Sequence, residues 1–254
     1  ILSKEVISWA FYDWANSAFA TTVIAGFFPI FFKSFWANSL SDSESTALLG
    51  VANSLSGFFI LIFAPFLGAL ADITFRKKYM LVFFMLIGAG STASFFFINE
   101  GYWMIAVITY ILASIGFSGG NIFYDSLIID VSNDQSRNKV SAFGYAMGYL
   151  GGGILFVVNV LMYLQPNTFG LTSQIDAVLF SFLSVAIWWS VFTLPLIRFV
   201  KESKGEITSL SLISTLKNTF SRVINTFKEI RQYKNIFYFL LAYWLYMDGI
   251  DTVV

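Results

Sequence analysis

The 254-residue chain is 57% hydrophobic and only 12% charged, and its 15 basic and 15 acidic side chains leave no net charge. A soluble domain carries about 25% charged residues, so this composition excludes an ordinary soluble fold. The sequence contains no cysteine and no histidine. Their absence excludes disulfides, thiolate metal ligands and the side chain that most often carries protons near neutral pH.

Long apolar segments predict an all-α transmembrane protein. A helix needs about 20 apolar residues to cross a bilayer. Six segments meet this requirement, at about residues 6–32, 47–71, 79–98, 102–131, 140–164 and 177–197. A seventh begins at Ile236 and is still apolar at Val254, so we expect the chain to be a fragment of a longer protein. The predicted organisation is a six-helix bundle over 1–197, a linker over 198–235 and a truncated seventh helix over 236–254.

The basic residues predict which side of the membrane each loop occupies. Fourteen of the fifteen Lys and Arg residues fall on one side of the predicted spans. The exception, Lys33, lies at a helix end from which its long side chain can reach the membrane surface. Cytoplasmic loops carry an excess of Lys and Arg, so the N-terminus and the 198–235 linker are predicted to be cytoplasmic.

The linker itself carries an amphipathic pattern. Its eight basic residues outnumber its three acidic ones. Its apolar residues recur every three or four positions, which predicts a helix lying along the inner leaflet. A docking site for a partner or a lipid headgroup is the alternative. The apolar residues are Ile213, Leu216, Phe220, Val223, Phe227 and Ile230.

Carboxylates occur within only some of the predicted helices. Asp13 lies in helix 1, Asp125 in helix 4, and Asp248 and Asp251 in helix 7, which are the first helices of successive three-helix groups. Acidic residues within a membrane are costly and usually face a cavity or a partner. Transporters built from repeats place their sites on corresponding helices. These side chains therefore coordinate a substrate or a proton, or alternatively form structural hydrogen bonds between helices.

Polar neighbours extend the acidic positions into stripes. Asn16 and Ser17 share a helical face with Asp13, and Asn121 shares one with Asp125. At 1.5 Å per residue, Asp13 and Asp125 both lie roughly 10 Å inside the cytoplasmic boundary, so they could meet across a cavity. The predicted substrate or proton path comprises Asp13, Asn16, Asn121, Asp125, Asp248 and Asp251.

The loop after helix 2 has a glycine, an aspartate four residues later and then three consecutive basic residues. It resembles the signature loop of the major facilitator superfamily, although Ile73 and Phe75 replace the basic residue and the glycine usual there. In that family the loop is an inner latch between helix bundles. For the basic residues 76–78, ordinary cytoplasmic charge is the alternative to a latch. A second latch element could be formed by Asp130, Asp134, Arg137 and Lys139. The predicted latch comprises Gly68, Asp72, Arg76, Lys77, Asp130 and Arg137.

Helix 5 carries a series of glycines that includes a run of three. Small residues four apart permit close contact between membrane helices. No Lys-Ser or Lys-Thr follows, so this is not a phosphate-binding loop. The predicted packing positions are Gly144, Gly148, Gly151 and Gly152, and the run of three glycines is a predicted bending point.

Residues 5–19 and 144–153 together resemble the vacuole-effluxer-like branch of the major facilitator superfamily, the autophagy-related amino-acid effluxers and their bacterial relatives. The resemblance implies twelve helices in two halves, with helices 1, 4 and 7 around a central cavity and alternating access to it. It further implies a missing C-terminal six-helix half, a small polar solute such as an amino acid, proton-coupled transport or efflux, and a bacterial inner membrane. Asp125 departs from the neutral Asn expected at its position.

Other classes of membrane protein fit the residues less well. An intramembrane aspartyl protease needs a Gly-x-Gly-Asp setting and a Pro-Ala-Leu turn, and the sequence has neither. A retinal protein needs a lysine in helix 7, but residues 236–254 contain none. A channel or a structural membrane subunit remains the alternative to a transporter. No cofactor, metal or nucleic acid is expected.

Overall fold

The computed structural model describes residues 3–74, 76–202, 221, 225 and 233–253, and every regular element among them is helical. Six helices are long and apolar enough to cross a membrane, which confirms the predicted all-α transmembrane class. They are α1 (Lys4–Trp36), α2 (Asp42–Thr74), α3 (Lys77–Phe97), α4 (Trp103–Val131), α5 (Arg137–Leu164) and α6 (Gln174–Phe199). A further helix, α7, spans Lys234–Val253.

Serine caps fix two of the helix starts. The Ser3 hydroxyl accepts a hydrogen bond from the Val6 amide at 3.2 Å, and the Ser173 hydroxyl accepts one from the Asp176 amide at 3.1 Å. Each bond satisfies an amide that has no partner within its helix. These caps lie outside the apolar segments, so α1 and α6 begin two or three residues earlier than hydropathy predicted.

Aromatic side chains form the core between the helices. Phe28, Trp36, Phe95 and Phe182 are all at most 1% exposed and contact one another with ring centroids 5.1–5.8 Å apart. Trp36 also donates a hydrogen bond to the Ile98 carbonyl at 3.1 Å. This cluster ties α1 to α3 and α6 at the end of the bundle remote from Asp13.

α1 contains two π-helical stretches, Phe19–Phe27 and Phe32–Trp36. Such wide turns are uncommon and occur frequently near functional sites. The first begins six residues after Asp13. Within it the Thr21 hydroxyl donates to the Gly152 carbonyl of α5 at 3.1 Å, so the wide turn is anchored to its neighbour.

The outermost helices are α2 and α7. Only 11% of the most apolar part of α2 is buried against other helices, and the described side chains of α7 are exposed. Large apolar side chains on both are therefore available to lipid or to other protein. The predicted amphipathic helix lies outside the described residues, apart from positions 221 and 225. α5 stays α-helical through its glycines, and the bending point proposed at their run of three stays a prediction.

Candidate functional site

Helices α1, α4 and α5 enclose a cavity of about 290 Å³ near one end of the bundle. Its wall includes both carboxylates predicted to line a path, Asp13 from α1 and Asp125 from α4. Asp13 is half-buried, and Asp125 is exposed. The other lining residues are Trp9, Asn121, Tyr124, Ile128, Ser141 and Tyr145.

A glycine of α5 makes room for Asp13. The Asp13 carboxylate accepts a hydrogen bond from Ser17, one helical turn along, at 3.1 Å. A Cβ atom at Gly148 would lie 2.7 Å from the Ser17 hydroxyl oxygen and 2.8 Å from the Asp13 carboxyl carbon. Any side chain at Gly148 would therefore displace this pair from the position it holds in the cavity wall.

Two aromatic rings form the side of the cavity next to Asp13. Trp9 and Tyr124 stack with centroids 4.3 Å apart and planes 9° from parallel. The Trp9 indole N–H donates to the Tyr124 backbone carbonyl at 3.0 Å, which fixes its orientation. A Cβ at Gly144 would lie 2.7 Å from both the Trp9 ring and the Tyr124 hydroxyl. The glycines of α5 thus shape the cavity as well as permitting close packing.

An asparagine pair joins α1 to α4 behind the cavity. The Asn16 side-chain amide donates to the Asn121 side-chain oxygen. Asn16 is only 1% exposed, whereas Asn121 lines the cavity. Asn16 therefore positions Asn121 and does not line the path as the sequence predicted.

The structure brings three of the predicted path residues together, namely Asp13, Asn121 and Asp125. The side chains of Asp248 and Asp251 lie outside the described residues. Sequence reasoning missed Trp9, Tyr124 and Tyr145. The signal for Trp9 was its position four residues before Asp13, on the same helical face, and Tyr124 directly precedes Asp125.

The predicted latch contains one nearly buried ion pair. Lys77 of α3 contacts the Asp130 carboxylate of α4 at 3.1 Å and donates to the Ser126 carbonyl, also at 3.1 Å. The two side chains are 10% and 2% exposed. The pair joins two helices of the same bundle, next to the cytoplasmic end that the sequence predicts for α3 and α4.

The remaining latch residues are dispersed. A Cβ at Gly68 would contact no described residue, and α2 lies at the periphery of the bundle. Arg76 lies 5.9 Å from the Tyr79 ring, and Arg137 pairs with Asp134 at 2.8 Å on the surface. The Asp72 side chain lies outside the described residues.

We expect Lys77→Ala to destabilise the protein by about 3 kcal/mol, because it removes the cation that pairs with the nearly buried Asp130 carboxylate. Arg137→Ala is the matched control. Its pair with Asp134 is exposed, so its loss should cost at most about 1 kcal/mol. Thermal unfolding in detergent would measure both, and equal losses would contradict a structural role for the buried pair.

Solved structures share this architecture. The chain aligns with the inward-open xylose transporter XylE of E. coli at a TM-score of 0.55 and 17% identity, covering 92% of this chain and 54% of that one. The proton:xylose symporter XylE bound to 6-bromo-6-deoxy-D-glucose gives a TM-score of 0.59 at 16% identity, covering 92% and 51%. The bundle therefore has the fold of one half of a major facilitator transporter, and the chain is an integral membrane protein.

The family follows from the sequence matches. The family described as "Vacuole effluxer Atg22 like" matches residues 40–131 and 129–254, and the chain belongs to it. The "Uncharacterized MFS-type transporter YxiO" of Bacillus subtilis is 37% identical over 254 residues, which are 99% of this chain and 59% of that protein. "Autophagy-related protein 22" of Yarrowia lipolytica is 30% identical over 135 residues, 45% of this chain and 22% of that protein. These matches confirm the resemblance recognised in the sequence.

The chain spans little more than half the length of the Bacillus relative and about half of each XylE chain. Those proteins therefore contain a further region of similar size. The membrane fold and the family apply to this chain directly.

Proposed function

We propose that this chain forms the N-terminal half of a secondary transporter, which moves a small polar solute by alternating access. The observation that supports this most strongly is the shared cavity of Asp13 and Asp125. Two helices that run in opposite directions present carboxylates to one hollow, in a fold whose halves rock about a central site. Amino acids are the leading solute class, because the sequence resembles the autophagy-related amino-acid effluxers and matches the vacuole-effluxer family.

Asp13 and Asp125 have different proposed roles in transport. Asp13 is half-buried and held by the Ser17 hydroxyl, so it is a fixed contact for the solute. Asp125 is exposed and makes no side-chain hydrogen bond with a described residue, which leaves it free to exchange a proton. No histidine exists in the chain to carry that proton instead.

The other parts of the proposed transporter are those predicted from the sequence. Residues 1–197 form the bundle, 198–235 a cytoplasmic linker, and 236–254 the first helix of a second six-helix half. Asp248 and Asp251 would then complete the path from α7. Gly68, Asp72, Arg76, Lys77, Asp130 and Arg137 would close its cytoplasmic side. The proposed location is a bacterial inner membrane with a cytoplasmic N-terminus.

We expect Asp125→Asn in the complete transporter to fold normally and to abolish the pH dependence of solute flux. The amide keeps the shape of the carboxylate but cannot exchange a proton at physiological pH. The measurement is solute uptake into proteoliposomes against external pH. Asp42→Asn is the control, because Asp42 is exposed at the start of α2 and belongs to no proposed site.

The same proteoliposomes test the proposed function as a whole. Accumulation of a solute above its equilibrium level, driven by a proton gradient, identifies a secondary transporter. Flux that only dissipates a gradient would identify a channel. A pH dependence that survives Asp125→Asn would remove this residue from the coupling step but leave transport intact.

A further inference from the structure

We infer that the cavity between α1, α4 and α5 selects a compact ligand with a net positive charge, such as an alkylammonium ion, over zwitterions and anions. The inference rests on the proposed transport of a small polar solute through the same site. It narrows the solute from amino acids in general, most of which are zwitterions, to compact cations. It depends on three separate features of the wall: its charges, its aromatic rings and one buried hydroxyl.

The charged residues that line the cavity are both acidic. Asp13 and Asp125 both line this one cavity, and like charges repel. None of the described residues that line the cavity is a lysine or an arginine. Lys77 is also unavailable, because it is held by Asp130 and the Ser126 carbonyl. A cationic ligand would relieve the repulsion between the carboxylates, whereas a ligand carboxylate would add to it.

The aromatic residues favour the same ligand. Trp9, Tyr124 and Tyr145 all line the cavity. The Trp9 indole N–H is already bonded to a backbone carbonyl, so it is not available as a donor to an anion. What these residues offer is π-electron surface, which attracts ammonium groups, most strongly when water is excluded.

A buried hydroxyl provides the third feature. Tyr124 is only 6% exposed, and its hydroxyl has no hydrogen-bond partner among the described residues. Buried polar atoms are usually paired, so this unpaired hydroxyl, on a residue of the cavity wall, is a candidate partner for a ligand that enters the cavity. A phenol oxygen accepts hydrogen bonds readily, and an ammonium group has only donors to give.

Volume limits the size of the cation. Drug-sized ligands occupy pockets of about 300–1,000 Å³. At about 290 Å³ the cavity of this half lies just below that range, so it suits a ligand smaller than a typical drug. A four-carbon chain with a terminal ammonium is therefore a suitable probe, and its end groups can be changed without altering its length.

The test uses the complete transporter in detergent and four compounds of equal chain length: 1,4-diaminobutane, 4-aminobutanoate, 1,4-butanediol and butanedioate. Binding is read from the ligand-induced rise in unfolding temperature across a concentration series. We expect the diamine to bind at least about tenfold more tightly than the zwitterion, a factor that corresponds to about 1.4 kcal/mol. The diol and the dianion should bind more weakly still.

Variants identify the source of that preference. Asp125→Asn and Trp9→Leu should each reduce diamine affinity while leaving the weak diol signal unchanged. Asp42→Asn, at the exposed start of α2, should change neither. If either cavity variant fails to fold, Tyr145→Leu at the exposed rim of the cavity gives the same comparison.

Equal or tighter binding of 4-aminobutanoate, the diol or butanedioate would overturn the inference, as would no binding of the diamine. Either result leaves the proposed function standing if the protein accumulates any solute in proteoliposomes. Solute uptake from a complex mixture, followed by mass spectrometry, tests that function separately. The two failures are therefore distinguishable.

Discussion

Gly151→Ala should lower the stability of the protein by about 1–3 kcal/mol, the usual cost of forcing extra volume into a packed site. A Cβ at Gly151 would overlap the backbone carbonyl oxygen of Trp14 and lie 2.6 Å from two atoms of its indole ring. A backbone atom in the middle of α1 cannot move aside as a flexible side chain can. The expected result is a lower unfolding temperature in detergent.

Gly153→Ala is the matched control, two residues further along the same helix. A Cβ there would contact no described residue within 4 Å. Alanine favours helix over glycine by up to about 1 kcal/mol, so this variant should be neutral or slightly stabilising. The two substitutions add the same methyl group, and opposite signs would demonstrate the contact between α1 and α5. A loss of stability in both would indicate a general sensitivity of α5 instead.

The fold could be predicted from the sequence because hydropathy reports directly on membrane helices. Each apolar segment needed only to be long enough to cross a bilayer. The local features escaped this reasoning. Nothing in the apolar run after Ala18 distinguishes a π-helix from an α-helix, and the sequence does not show that Thr21 bonds to Gly152 of a different helix.

The acidic residues of the candidate site could be predicted from the sequence, but the aromatic residues that line it could not. Asp13 and Asp125 stand out because carboxylates are rare in apolar helices. Trp9 and Tyr124 do not stand out among 49 aromatic residues, which are 30 Phe, 7 Trp and 12 Tyr. Their stacking depends on α1 and α4 approaching at one particular height, and on Gly144 leaving room for both rings. Spacing along one helix cannot specify contacts with another.

The same limit explains Asn16. It shares a face with Asp13, which placed it on the path by spacing alone. In the folded bundle that face is wide enough for Asp13 to reach the cavity while Asn16 contacts Asn121 behind it. Helical periodicity thus identifies the side of α1 that meets its neighbours, and tertiary packing decides which residues meet a cavity.

Gly120→Ala should be strongly destabilising, by about 1–3 kcal/mol, and Tyr12→Phe should restore most of the loss. Tyr12 is fully buried, and its hydroxyl would overlap a Cβ at position 120. The next ring atom, Tyr12 Cζ, would lie at 3.5 Å, an ordinary contact. Removing the hydroxyl oxygen therefore makes space for the methyl group.

Tyr12→Phe alone should cost little. Its hydroxyl has no hydrogen bond of ordinary geometry with a described residue, although Trp189 and Asn16 lie near it. Unfolding temperatures of the two single variants and the double variant form a double-mutant cycle with an expected coupling of about 1–2 kcal/mol in favour of the double variant. Strictly additive losses would show that Gly120 is needed for another reason than the oxygen of Tyr12. A rescue would instead confirm that α1 and α4, the helices that carry Asp13 and Asp125, are held at a separation set by one buried phenol and one glycine.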